Sequence, residues 1–144
     1  MFQFVETHGD IFVNCPPTVA LAHCVSLDFK MSQGIALAFR QKFGQIHSLR
    51  GQVRIVGQCA VVGHESRWVF YMVTKLRYFM KPSYHSVEQA LRSMKQHMER
   101  LHIKELAVPG RLSCGRDKLN WDKVRQIIYK VFWDSNTTIY AYHL

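Results

Sequence analysis

Apolar positions along this chain fall into two kinds of pattern. Short, nearly continuous runs occur at Val19–Val25 (VALAHCV), Val53–Val56, Trp68–Val73 (WVFYMV), Glu105–Val108 and Thr137–Tyr142, with Phe2–Val5 as a further candidate. Runs of this length that are apolar on both faces predict strands in a sheet covered on both sides. Between them, apolar residues return every three or four positions. Ile35, Ala36, Phe39 and Phe43 make one such stripe. Val87, Ala90, Leu91, Met94, Met98 and Leu101 make a second, and Trp121, Val124, Ile127, Ile128, Val131 and Phe132 a third. Each stripe is the buried face of a helix. Ser86 and Gln89 have the spacing of a capping box at the start of the second helix. Strands alternating with helices predict a three-layer α/β/α domain over residues 1–144, with no linker dividing it.

Composition narrows the class. The chain has 144 residues, a length typical of one domain, and 48% of them are hydrophobic, which excludes a disordered chain. No apolar run approaches the roughly 20 residues of a membrane-spanning helix, and no membrane association is expected. The opening MFQFVETHGD lacks a basic stretch followed by an apolar block, so no signal peptide is expected. The cysteines, Cys15, Cys24, Cys59 and Cys114, form no C-x-x-C pair. They read as free thiols in a reducing compartment, cytosol or nucleus. The histidines are scattered without H-x-x-x-H spacing, so neither a metal nor a cofactor is expected. The formal net charge of +9 favours a polyanionic ligand.

In a layered α/β domain, ligands bind beyond the carboxyl ends of the strands. Three polar loops follow buried runs. Gly110–Asp117 contains two glycines and two arginines and opens onto a helix. Such a loop either aims backbone amides at an anion or is a turn with Asp117 or Asn120 capping the helix. Lys30–Gly34 also precedes a helix. Lys75 closes the run that begins at Trp68. Partial loss of water favours the neutral, nucleophilic form of an amine, though most lysines at strand ends extend into solvent. Asp10, after Gly9, either accepts from an adenine amino group or ends a turn. His23, inside an apolar run, reads as a core histidine bonded to backbone.

Taken together these segments resemble the macrodomain family. The resemblance rests on Gly9-Asp10-Ile11-Phe12 with Cys15-Pro16, on Leu21–Ser26 (LAHCVS), and on Met31-x-x-Gly34-Ile35-Ala36. It continues through Lys42-Phe43-Gly44, Val73-Thr74-Lys75, Lys81-Pro82-Ser83-Tyr84 and Cys114-Gly115-Arg116-Asp117-Lys118-Leu119-x-Trp121. It is nearly collinear over almost the whole chain and is strongest for the branch that removes terminal ADP-ribose from proteins and deacetylates O-acetyl-ADP-ribose.

The resemblance implies a central mixed sheet between helices, with ADP-ribose lying across the strand ends. Asp10 and Ile11 match positions at the adenine. Ser26 and the loop containing Met31, Ser32, Gly34, Ile35 and Ala36 match the surroundings of the distal ribose. Thr74, just before the catalytic lysine position, is expected among the ADP-ribose-binding residues. Arg111, Leu112, Ser113, Cys114, Gly115 and Arg116 match the loop at the diphosphate and distal ribose, and Leu144 matches a residue closing the adenine side. Lys75 and Asp117 match the two catalytic positions: the lysine attacks the anomeric carbon and the aspartate handles protons. The chain departs from the pattern at Ser32 and Ser113, where the family has glycine, and at Gly110, which reads as an insertion. A serine held at positive φ costs about 1 kcal/mol or more, and Gly110 is expected to supply the lost freedom one step earlier.

The resemblance therefore implies a hydrolase acting on ADP-ribosylated proteins, with a non-catalytic reader of ADP-ribose or poly(ADP-ribose) as the alternative. The charge adds an accessory expectation of poly(ADP-ribose) or RNA contact. Arg92, Lys95, Arg100 and Lys104 on the second helix form either a basic face or a solvated one interrupted by Glu88 and Glu99.

Overall fold

The computed structural model describes residues 1–112 and 118–144. Six strands form one sheet: β1 (Gln3–His8), β2 (Ala20–Ser26), β3 (Cys59–His64), β4 (Arg67–Lys75), β5 (Glu105–Pro109) and β6 (Thr138–His143). Their order is β1-β6-β5-β2-β4-β3. All neighbours are parallel except β3, which pairs antiparallel with β4 at one edge. The sheet is therefore mixed, as expected. Five strands end on the same rim.

Helices cover both faces. The short α1 (Ile11–Asn14), α2 (Gly34–Phe43) and α3 (Ile46–Gln52) lie on one face, where Ile11, Phe39, Phe43 and Leu49 pack on Leu21, Val25, Tyr71 and Val73. On the other face, α4 (Tyr84–Arg100) and α5 (Trp121–Phe132) pack Met94, Met98, Val124 and Ile128 on Ala22, Phe70 and Met72. Successive residues of β2 and β4 alternate between the two cores, which is why both strands read as continuous apolar runs.

The edges differ from the sequence reading. Val53–Val56 is a loop, not a strand. Its amides find a side chain instead of a neighbouring strand, since Gln58 Oε1 accepts from Arg54 N at 2.7 Å and Ile55 N at 3.2 Å. The edge strand is β3, whose Gly63 and His64 interrupt the apolar pattern. The capping box of α4 sits three residues earlier than expected. Ser83 accepts from Ser86 N at 3.0 Å and Ser86 Oγ accepts from Ser83 N at 3.1 Å. Of the two residues considered for capping α5, Asn120 does so, accepting from Lys123 N at 3.1 Å; Asp117 lies outside the described residues.

Candidate functional site

The strand order dictates where the molecule opens. After β2 the chain moves to the α2–α3 face, whereas after β5 it moves to the α5 face. Strands β2 and β5 are neighbours, so their outgoing loops part in opposite directions and leave a crevice. The β2–β5 ladder is short: Ala20 pairs Leu106 and Leu21 pairs Ala107. Beyond it lies a cleft of about 750 Å³, within the range of ligand sites.

Twelve of the expected residues line this cleft: Asp10, Ile11, Ser26, Met31, Ser32, Gly34, Ile35, Ala36, Lys75, Arg111, Leu112 and Leu144. They come from the ends of five different strands, from the loop before α2 and from its first turn. Thr74 does not line it. Its side chain is buried and its carbonyl accepts from Ser86 Oγ at 2.6 Å. Ser113, Cys114, Gly115, Arg116 and Asp117 lie outside the described residues.

Asp10 has a structural duty beside any ligand role. It is the N-cap of α1, with Oδ1 accepting from Phe12 N at 2.8 Å. Its own amide donates to Asn14 Oδ1 at 2.8 Å. Gly9 fits this turn because its φ is +147° and a Cβ there would meet Asn14 Oδ1 at 2.7 Å.

At the other end of the cleft, Ser26 and Lys75 are register partners. Asp28 organises the turn after β2. It accepts from Ser26 Oγ, from Lys30 N at 3.2 Å and from Tyr78 N at 3.1 Å. Burial alone would raise its carboxyl. These hydrogen bonds and nearby Arg77 outweigh burial and hold it below the ordinary value.

The start of α2 faces the cleft. Gln33 makes no side-chain capping bond, so among the described residues no cap claims the first-turn amides of Gly34, Ile35 and Ala36. With the helix dipole they make a site suited to an anion. Left-handed backbone occurs here at Met31 (φ 42°) and Gly34 (φ 61°) but not at Ser32. The serine therefore carries no strain from positive φ.

Opposite, the loop after β5 is left-handed at Arg111 (φ 62°) and Leu112 (φ 43°), not at Gly110. Gly110 thus does not supply the positive φ expected of it. It is required for close approach, because a Cβ there would lie 2.3 Å from His143 Nδ1 and 2.9 Å from the Tyr142 carbonyl oxygen.

His23 lines the cleft floor and is 1% exposed. It is a core histidine, but its bonding differs from expectation. Neither ring nitrogen has a hydrogen-bond partner among the described residues. The ring stacks on Phe39 at 3.8 Å and meets the edge of Tyr71 at 4.9 Å. Burial pushes its pKa down to about 3, so the imidazole is neutral.

The sequence reading missed several lining residues: Cys24, Val25 and Gln33, the loop residues Tyr78, Phe79 and Met80, and Tyr142 and His143 near the chain end. The loop had a visible signal. Leu76, Tyr78, Phe79 and Met80 crowd large apolar side chains into a segment between a strand and the N-cap Ser83, where turn residues are the norm.

No protein-family model matches the chain. It is 38% identical over 136 residues to human (Homo sapiens) ADP-ribose glycohydrolase OARD1, covering 94% of this chain and 88% of that protein. The Bos taurus protein of the same name matches at the same identity and coverage. Among solved structures, the macrodomain of Thermus aquaticus DarG superposes with a TM-score of 0.82 at 25% identity, covering 99% of this chain and 97% of that one. Thermosipho africanus DarTG in complex with ADP-ribose gives 0.80 at 20% identity over 94% of this chain and 40% of that one. With relatives this similar over nearly their full length and with this fold, the chain belongs to the macrodomain family, alongside the ADP-ribose glycohydrolase OARD1.

Proposed function

We propose that this macrodomain binds ADP-ribose in the cleft and hydrolyses the ester joining its distal ribose to glutamate or aspartate side chains of proteins. The observation that carries this reading is a lysine, Lys75, on the rim of the cleft beside Ser26. The chain that holds it is 38% identical to an ADP-ribose glycohydrolase.

In this reading Asp10 accepts from the adenine amino group through Oδ2, its Oδ1 already serving Phe12, and Ile11 packs on the base. The α2 amino end and the loop at Arg111 hold the diphosphate by backbone amides. The distal ribose then lies toward Ser26 and Lys75. The Nζ lone pair of Lys75 attacks the anomeric carbon, and the bond from that carbon to the ester oxygen breaks. The protein carboxylate leaves with the electron pair. Asp117 takes the surplus proton from nitrogen. The ribose ring opens to an imine, water adds, and cleavage of the carbon–nitrogen bond frees ADP-ribose and regenerates the amine. An O-acyl-ADP-ribose presents an ester to the same site and is a second substrate class.

The test is turnover of a peptide carrying glutamate-linked ADP-ribose, run beside calorimetric titration with ADP-ribose. Release of ADP-ribose supports the hydrolase. Tight binding without release would favour a reader, and absence of binding would overturn both.

A further inference from the structure

The positive charge of this protein is unevenly spread. Between Phe29 and Lys81 the sequence holds nine Lys and Arg residues against one acid, Glu65, whereas residues 1–28 hold three acids and no Lys or Arg. On the α4–α5 face, where a basic surface was expected, carboxylates pair with several of the cations. Arg92 and Lys130 both pair with Glu88, each at 3.1 Å, and Lys95 pairs with Asp134 at 2.8 Å.

Around the turn Ser26–Lys30 the arrangement is different. Arg50 Nη2 donates to the Asp28 carbonyl oxygen at 3.1 Å, and Arg40 Nη1 donates to the Lys30 carbonyl oxygen at 2.9 Å. Bonds to carbonyls fix these guanidinium groups without cancelling their charge. Lys30 Nζ lies 4.7 Å from the Tyr78 ring centroid, and Arg77 lies close enough to Asp28 to lower its pKa. Among the described residues, Asp28 is the carboxylate at the centre of this group of cations.

Exposed apolar surface stands beside that charge. Leu76–Lys81 is exposed throughout, with Phe79 at 73% and Tyr78 at 45%. Their rings meet edge to face at 5.4 Å, so one presents its face where the other presents its edge. Large exposed rings at a cleft rim mark a binding surface. Cations interleaved with exposed rings suit a polyanion whose own rings can stack. An acidic peptide would use the cations but has nothing to lay on Phe79. A duplex offers phosphates but keeps its bases inside.

We infer that the loop Leu76–Lys81 and the turn Ser26–Lys30, continued along α2 and α3, bind single-stranded nucleic acid. Bases stack on Phe79 and Tyr78, and phosphates run past Lys30, Arg77 and Lys81 toward Arg40 and Arg50. The surface is continuous with the cleft, since Tyr78, Phe79 and Met80 line both. It does not depend on whether the cleft turns over ADP-ribose.

Fluorescence anisotropy with a short labelled single-stranded RNA of mixed sequence tests this, with the same strand in duplex form and a polyglutamate peptide as comparators. The single strand is expected to bind more tightly than either. Phe79→Ala, at an exposed position, should weaken it about fivefold or more with the melting temperature unchanged, as loss of one stacked base predicts. Lys81→Ala should reduce the slope of log affinity against log salt by about 0.7, the share of one single-strand phosphate. Arg100→Ala with Lys104→Ala, on the opposite face, should change neither. Equal binding of duplex or polyglutamate, or full affinity in Phe79→Ala, would overturn the inference by reducing the surface to bulk charge. So would failure of the single strand to bind.

Discussion

Ser26 stands beside Lys75 in the sheet, not beside Thr74. The β2–β4 ladder runs in step through Val25 and Val73, then slips by one residue so that Ser26 pairs with Lys75. The slip skips Thr74, whose side chain is buried, and brings the lysine to the cleft rim. Irregularities of this kind re-aim side chains at the ends of strands. A second tie holds the alignment: Leu27 N donates to the Lys75 carbonyl oxygen at 2.9 Å. The backbone of the proposed nucleophile is thus fixed from the strand that leads into the ribose-side turn.

Lys75→Ala removes the proposed nucleophile and leaves that backbone in place. Hydrolysis of ester-linked ADP-ribose is expected to fall by about 100-fold or more while ADP-ribose still binds. Asp117→Ala is expected to slow resolution of the adduct, so that borohydride reduction and intact-mass measurement find ADP-ribose attached at Lys75. Undiminished turnover in Lys75→Ala would remove the lysine mechanism.

Ser32 occupies a family glycine position but lacks left-handed φ. Ser32→Gly therefore relieves no strain and is expected to leave turnover unchanged. Stability should fall by about 0.4–1 kcal/mol through the greater freedom of the unfolded chain. Denaturant titration and a rate assay on the same preparation check both halves.

Gly110 is tight against His143, and that ring has little room to retreat because Nε2 bonds to Glu6 Oε1 at 3.0 Å. The same carboxylate holds Trp121 Nε1 at 3.1 Å and Arg125 Nη1 at 3.0 Å. Gly110→Ala should force the loop before Arg111 away from β6. The expected cost is about 1–3 kcal/mol, as for other overpacked sites. ADP-ribose affinity should fall with it, whereas Gly51→Ala, where nothing lies near the added carbon, should not affect binding. Calorimetry on the two variants is the comparison.

His23 couples stability to pH. Its pKa is about 3 in the folded chain, below the ordinary histidine value near 6.5. Between those values the unfolded chain binds a proton that the folded chain refuses, so stability is full above about pH 6.5 and falls as pH drops toward 3. One proton contributes a slope of at most about 1.4 kcal/mol per pH unit. His23→Phe should flatten the stability profile across this window by up to that slope. An unchanged profile in equilibrium unfolding would show that His23 is not buried neutral.

Much of this architecture follows from local pattern. Apolar runs such as Trp68–Val73 and stripes such as Val124–Ile128–Val131 must be buried, and burying both kinds in one chain demands a sheet between helix layers. The motifs around Asp10, Met31–Ala36 and Lys75 pointed to strand ends, and the five parallel strands carry those ends to one rim. What local pattern does not contain is partnership. The Val53–Val56 run resembles a strand, yet Gln58 satisfies its amides, while β3 is a strand because β4 lies beside it. The Lys75 register depends on a slip against β2, and the need for glycine at position 110 depends on a histidine 33 residues away. Which of the many cations meet a carboxylate was likewise decided in three dimensions. Glu88 lies within reach of Arg92 and Lys130, and carbonyl oxygens are what meet Arg40 and Arg50. Burial and periodicity are properties of a segment and can be read along it; hydrogen-bond satisfaction, close approach and charge neutralisation belong to pairs that only folding brings together.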